Sequence, residues 1–362
     1  MLTLDASHGE GGGQLLRTAL ALSVARGQPV ALHRIRARRP KPGLMPQHLT
    51  VVRALASMSD AVVSGDALDS TEIAFAPRAL NGGSYRFDVG AIRGSAGSVS
   101  LLFQALLLPL FLAREPGRLT LIGGTHVPWS PTVHHLGAVF LPALRSLGLL
   151  AEVSLERWGW YPRGGGLVRA RVEPGAGWSG LDWQAPPPQP RITGVSAVCR
   201  LPLHIAERQR RRALQRLTER GLAADIALVE DAQALGPGTL LFLAVAGEGM
   251  RAGFSALGRR GVPAEAIADE AVDPLLGYLD SGATVDDHLA DQLLPFLALA
   301  RTPSVFTCPR RSSHLDTVAW VIEQFLPARI EVADGPPVRV SITPAGLAPA
   351  AHRSVPVGSG RR

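Results

Sequence analysis

A chain of 362 residues that is 46% hydrophobic, with a mean hydropathy of +0.15, holds enough apolar material for one large globular domain or two ordinary ones. The net charge of +7 and pI near 10.5 favour a polyanionic partner without identifying one, because Arg353, Arg361 and Arg362 lie in a Pro/Gly/Ser-rich end, 345–362, that reads as a disordered basic tail. Lys41 is the only lysine among 37 basic residues and stands in KPGL, which excludes a P-loop lysine and a lysine nucleophile in a K-x-D-G motif. Cys199 and Cys308 exclude a disulfide framework and suit a reducing cytoplasm, and the opening MLTLDASHGE has neither the basic nor the apolar region of a signal peptide.

Along the chain, HGEGGGQLLR (8–17) comes first. Its glycines precede an apolar helix, where free N–H groups gather as at a phosphate site, yet the spacing fits neither a P-loop nor G-x-G-x-x-G. The plain reading is a tight β-to-α turn. The functional reading has the N–H groups take phosphate oxygens while Glu10 holds a divalent cation between itself and a triphosphate; Arg17, one turn beyond Gly13, faces the same place. The loop Arg34–Gly43 packs five positive charges between Arg34 and Lys41, stiffened by two prolines, and suits a phosphate or RNA backbone. Val99–Ala113 reads as a buried helix, too short to span a bilayer. His126, His134 and His135 have no metal-ligand spacing and read as structural or substrate-facing. Gly164-Gly165-Gly166 reads as a hairpin connection.

Three segments beginning at Gln14, Ser100 and Gln292 each run apolar helix, polar turn, strand, loop and second helix, two of them reaching further strands. Such self-similarity signals copies of one supersecondary unit. Aligned on Leu15, Leu101 and Leu293, the second interval exceeds the first by about 100 residues, the size of a small domain. An insertion is therefore expected between the second and third copies, starting at the linker Ala185-PPPQPR. Within it we read strand 192–199, basic helix 205–220, strands 225–230 and 239–246 and helix 263–281, a unit able to fold alone. The expected division is 1–184 for repeats one and two, 185–281 for the inserted domain and 282–344 for the third repeat. In the third copy, Arg310-Arg311-Ser312-Ser313-His314 puts an imidazole at a loop-to-helix junction, where it is the available nitrogen nucleophile for attack on phosphorus.

Seven motifs in order, GEGGGQLLRTALALS, IRARRPKPGLMPQHL, GSAGSVSLLFQALLLP, GGTHVPWSP, YPRGGGLV, HLADQLLPFLALA and SSHLDTVAWVIEQFLP, resemble the RNA 3′-terminal phosphate cyclase family over nearly the whole chain. The resemblance implies an α/β (α+β) fold: three βαβαββ-type repeats forming a large domain, with a smaller inserted α/β domain. It implies a soluble cytoplasmic enzyme, no membrane association, and ATP as co-substrate with Mg²⁺ or Mn²⁺; the oligomeric state stays open. The implied chemistry places AMP on a histidine, passes it to an RNA 3′-phosphate as RNA(3′)pp(5′)A, and closes a 2′,3′-cyclic phosphate. By the same resemblance His314 is the nucleophile, Glu10 the metal-contacting carboxylate, and Arg17, Arg36 and Arg39 handle phosphates. Gln47 and His48 lie near the reacting ends, while Gln104, Pro131, His288, Leu289, Ala290, Asp291 and Gln292 form the nucleotide pocket. His288 stands where relatives commonly carry a tyrosine stacked on adenine, and an imidazole stacks with less area. The competing readings are a non-catalytic cyclase-like RNA-binding scaffold, against which His314, Glu10 and Arg17 together argue, and an enolpyruvyl transferase, in which a nucleophilic histidine has no role.

Overall fold

The structure, a computed structural model, describes residues 1–345; the expected tail, past its first residue, lies outside the described residues. The first repeat comprises β1 (Leu2–Asp5), α1 (Gly13–Arg26), β2 (Val30–His33), α2 (Pro46–Ser59), β3 (Val62–Ser64) and β4 (Ile73–Ala76). The second runs β5 (Gly83–Asp88), α3 (Val99–Leu112), β6 (Gly117–Gly123), α4 (Val133–His135), a π-helical stretch Leu136–Phe140, α5 (Leu141–Ser146), β7 (Ala151–Arg157) and β8 (Gly166–Val172). Next comes β9 (Asp182–Trp183), then β10 (Arg191–Cys199), α6 (His204–Glu219), β11 (Ala224–Asp231), β12 (Gly238–Gly247), β13 (Met250–Leu257) and α7 (Ala264–Ser281). The chain closes with α8 (Asp287–Leu297), β14 (Ser304–Cys308), α9 (Ser313–Phe325), β15 (Arg329–Ala333) and β16 (Val338–Thr343).

Strand pairing makes the repeat explicit. The sheets β1-β2-β4-β3, β5-β6-β8-β7 and β9-β14-β16-β15 share one order: the first two strands run parallel and the remaining pairs antiparallel. A parallel pair needs a crossover helix, and α1, α3 and α8 supply it. β9 therefore belongs to the third repeat, and the insertion interrupts that repeat between its first strand and first helix. The division expected at 184 had counted Asp182 and Trp183 with the second repeat, because a two-residue strand carries no periodicity to read.

α3 is apolar nearly all round, as a helix buried on every side must be, while α1 buries Leu15, Leu16 and Ala19–Ala25, turns Gln14, Arg17 and Thr18 to the cavity, and packs against α2, α3 and α9. The inserted sheet, in order β11-β10-β12-β13, buries both faces. Along β12, Leu241, Leu243 and Val245 pack into the core shared with α6 and α7, while the alternate Leu240, Phe242 and Ala244 join the core of the large domain. The unit expected to fold alone thus shares half of its sheet with the body. Among the described residues no helix is long and apolar enough to cross a membrane.

Candidate active site

Between β1 and α1 the chain turns at Gly9 and Gly11, whose φ of 58° and 61° lie in the left-handed region that glycine adopts without strain. A Cβ on Gly9 would also collide with the Thr317 hydroxyl of α9. That hydroxyl accepts from the Glu10 N–H at 3.2 Å and donates to Ser313 O at 2.6 Å, joining the glycine loop to the first turn of α9. Gly12, the N-cap of α1, has no side chain to cap it, so first-turn N–H groups remain free for an anion.

His314 lies on the facing turn of α9. Its Nδ1 donates to Gln14 Oε1, and Glu10 Oε2 stands 3.8 Å from the same nitrogen. A proton on Nδ1 leaves the lone pair on Nε2. Burial, and then the neighbouring His288, Arg17 and Arg39, hold the imidazole below its usual pKa, so the free base predominates at neutral pH. Glu10 pairs with Arg39 of the Arg34–Gly43 loop. Arg38 donates to Gly9 O at 2.8 Å, fastening that loop over the glycines.

His48 is buried at the start of α2, with Nδ1 accepting from Met45 N at 3.2 Å. Burial and the Arg17 and Arg36 charges pull its pKa down to about 3, so it is a neutral imidazole with its proton on Nε2. Gly13 makes room for it: a Cβ there would strike both His48 Nε2 and Arg17 Nη1. Asp291 is buried opposite, its carboxyl pushed up to about 8 by desolvation, although Gln14 and Arg17 pull it down. Arg17 is itself lowered to about 10 by desolvation.

One cavity of about 590 Å³ adjoins this cluster. Arg17, Asp291 and His314 lie along it, and so do Gln104, Pro131, His288 and Gln292. Gln104 Nε2 is buried there without a hydrogen-bond partner among the described residues, a donor left for a ligand.

A sequence model of the family described as RNA 3′-terminal phosphate cyclase matches residues 8–332. Proteins named RNA 3′-terminal phosphate cyclase are similar over most of their length: that of Methylococcus capsulatus is 45% identical over 92% of this chain and 93% of its own, that of Gloeothece citriformis 43% over 92% and 95%, and that of Methanopyrus kandleri 42% over 96% and 99%. The chain belongs to the RNA 3′-terminal phosphate cyclase family.

Not every residue expected of a cyclase site reaches the cavity. Leu289 and Ala290 are buried in the core because α8 turns that face inward. Arg36 binds its own loop, donating to Lys41 O at 2.7 Å and Gly43 O at 2.9 Å. Gln47 accepts from Ser98 N at 3.4 Å, at the start of α3. Conversely, Gln14 stood in the glycine motif with no sign that it meets His314, and Phe254 and Ser255 line the cavity from β13, a strand whose glycine-containing MRAGFSAL gave no signal. Asp286 locks that strand in place: Oδ1 caps α8 through His288 N and Leu289 N at 2.9 Å, and Oδ2 accepts from Gly253 N at 3.0 Å.

No group of three or more His, Cys, Asp or Glu side chains able to hold a metal ion occurs among the described residues. Glu10 offers one carboxylate. That suits Mg²⁺, which is commonly bound by one or two carboxylates together with substrate phosphates.

Proposed function

We propose that this chain is an ATP-dependent RNA 3′-terminal-phosphate cyclase that works through a histidine–AMP adduct. His314 Nε2 attacks the α-phosphorus of ATP, a P–N bond forms, and pyrophosphate leaves. An RNA 3′-phosphate oxygen then attacks the same phosphorus, the P–N bond breaks, and RNA(3′)pp(5′)A results. The vicinal 2′-hydroxyl, losing its proton, attacks the RNA phosphorus; AMP leaves and the 2′,3′-cyclic phosphate remains. A bare phosphate has no group it can expel, whereas the anhydride expels AMP.

The observation that carries this reading is the Gln14 contact on His314 Nδ1, which orients the ring and leaves Nε2 nucleophilic beside the cavity. Arg17 and Arg39 supply positive charge for the phosphates, and neutral His48 offers an Nε2–H donor rather than a base, since a pKa of about 3 leaves it too weak to take a proton. Arg36 serves by holding the loop that carries Arg39. His288 and Pro131 are the groups suited to flank adenine, with Gln104 for a base edge. A divalent cation, when bound, would be held by Glu10 with the phosphates and would offset the charge that builds on the leaving pyrophosphate.

The test is intact mass after incubation with ATP and Mg²⁺. An acid-labile AMP adduct is expected on the wild type and none on His314→Ala; an undiminished adduct in that variant defeats the proposal.

A further inference from the structure

Of the six tryptophans, Trp158, Trp160, Trp178 and Trp183 are buried, and Trp320 stacks on His8 with ring centroids 3.9 Å apart. Trp129 is 98% exposed and Tyr161 67%. Trp129 also sits at φ 58°, a left-handed conformation that is a genuine outlier for so bulky a residue. An indole held with strain in water, with both faces open, marks a place where something else supplies the stacking partner.

The loops that carry the two rings are joined through their backbones. Trp129 edges the mouth of the cavity, two residues before Pro131. Its loop is tied to that of Tyr161, because Thr125 N and His126 N both donate to Gly159 O, at 2.9 and 3.1 Å, and His126 bridges Trp160. The same wall leads back to the reacting end. Gln47, next to His48, accepts from Ser98 N; Gly124 N donates to Gly97 O at 2.9 Å; and a Cβ on Gly164 would touch Ala96. Arg93 and Arg163 are exposed on these loops, and Arg163 donates to Leu235 O at 3.0 Å.

We propose that Trp129 and Tyr161 form a stacking path for the unpaired bases of the RNA strand as it leaves the cavity, with Arg93 and Arg163 beside its phosphates. This rests on the reading of RNA ends as substrate. Stacked aromatic rings interleaved with arginine suit single-stranded RNA of any sequence, since every base has a π-face. An acidic peptide would satisfy the arginines and leave both rings unused. Adenine bound inside the cavity would not need an indole that is almost wholly exposed.

The test is the affinity of a fluorescently labelled oligoribonucleotide with a 3′-phosphate, measured by anisotropy, for wild type, Trp129→Ala, Trp129→Phe and Tyr161→Ala. Each alanine is expected to weaken binding about tenfold, in the range for loss of one stacked base, while Trp129→Phe keeps most of the affinity and a 3′-phosphorylated dinucleotide is little affected. Wild-type affinity in both alanine variants overturns the inference. So does loss of the ATP-dependent adduct in Trp129→Ala, which would assign the indole to ATP. Because binding is read without turnover, a wild type that formed no adduct would count against the cyclase reading alone.

Discussion

At the scale of single residues, the site depends on which nitrogen of His314 carries the proton. Gln14 settles the ring, so Gln14→Ala should slow single-turnover AMP transfer to the protein about tenfold to a hundredfold, the usual cost of a misaligned reacting group, with little change in the KM for ATP. An unchanged rate would mean that the ring needs no such anchor. The pH dependence follows from the neighbours. Under the proposed mechanism protonated His314 has no lone pair, so adenylylation should fail as pH falls through its pKa, and burial first, then the neighbouring His288, Arg17 and Arg39, place that acid limb below about 6.5. His288→Phe removes the imidazole that adds to this lowering while keeping an aromatic face. Protonation then becomes easier, and the limb should move upward toward 6.5 in a pH–rate profile; an unmoved or lowered limb contradicts the electrostatic reading.

Among elements, the glycine loop and the start of α1 show how tightly local backbone serves the site. Alanine is the better helix former by about 1 kcal/mol, so Gly13→Ala at the first position of α1 should stabilise an ordinary helix. Here the new methyl meets His48 and Arg17. We expect a lower Tm and a loss of adenylylation of tenfold or more, checked by calorimetry and adduct kinetics. The helices of the three copies were legible from the sequence because their apolar runs are long, and the extra length between copies exposed the insertion. The first strands of the second and third repeats were not, since β9 is two residues and β5 alternates among half-exposed and exposed residues. Nor could the sequence show where the basic helix α6 spends its charges. Arg208 pairs with Glu265, and Arg212 and Arg216 share Asp269 on α7. The histidine, glycine and arginine motifs of the site announced themselves by type, whereas Gln14 against His314, or Arg38 against Gly9, exists only once distant segments meet.

For the molecule as a whole, three similar sheets build the body, and the inserted unit closes one wall of the cavity through β13. Its coupling to the body passes through the alternate face of β12. Phe242 is 2% exposed in the shared core, and Phe242→Ala should cost about 3–5 kcal/mol and raise the KM for ATP as the wall slackens. A destabilised variant with an unaltered KM would show that the inserted unit takes no part in nucleotide binding. The central claim concerns one covalent bond. Peptide mass spectrometry of the ATP-treated protein should find AMP on the peptide containing His314, joined through an acid-labile P–N linkage; AMP on any other side chain would contradict the account.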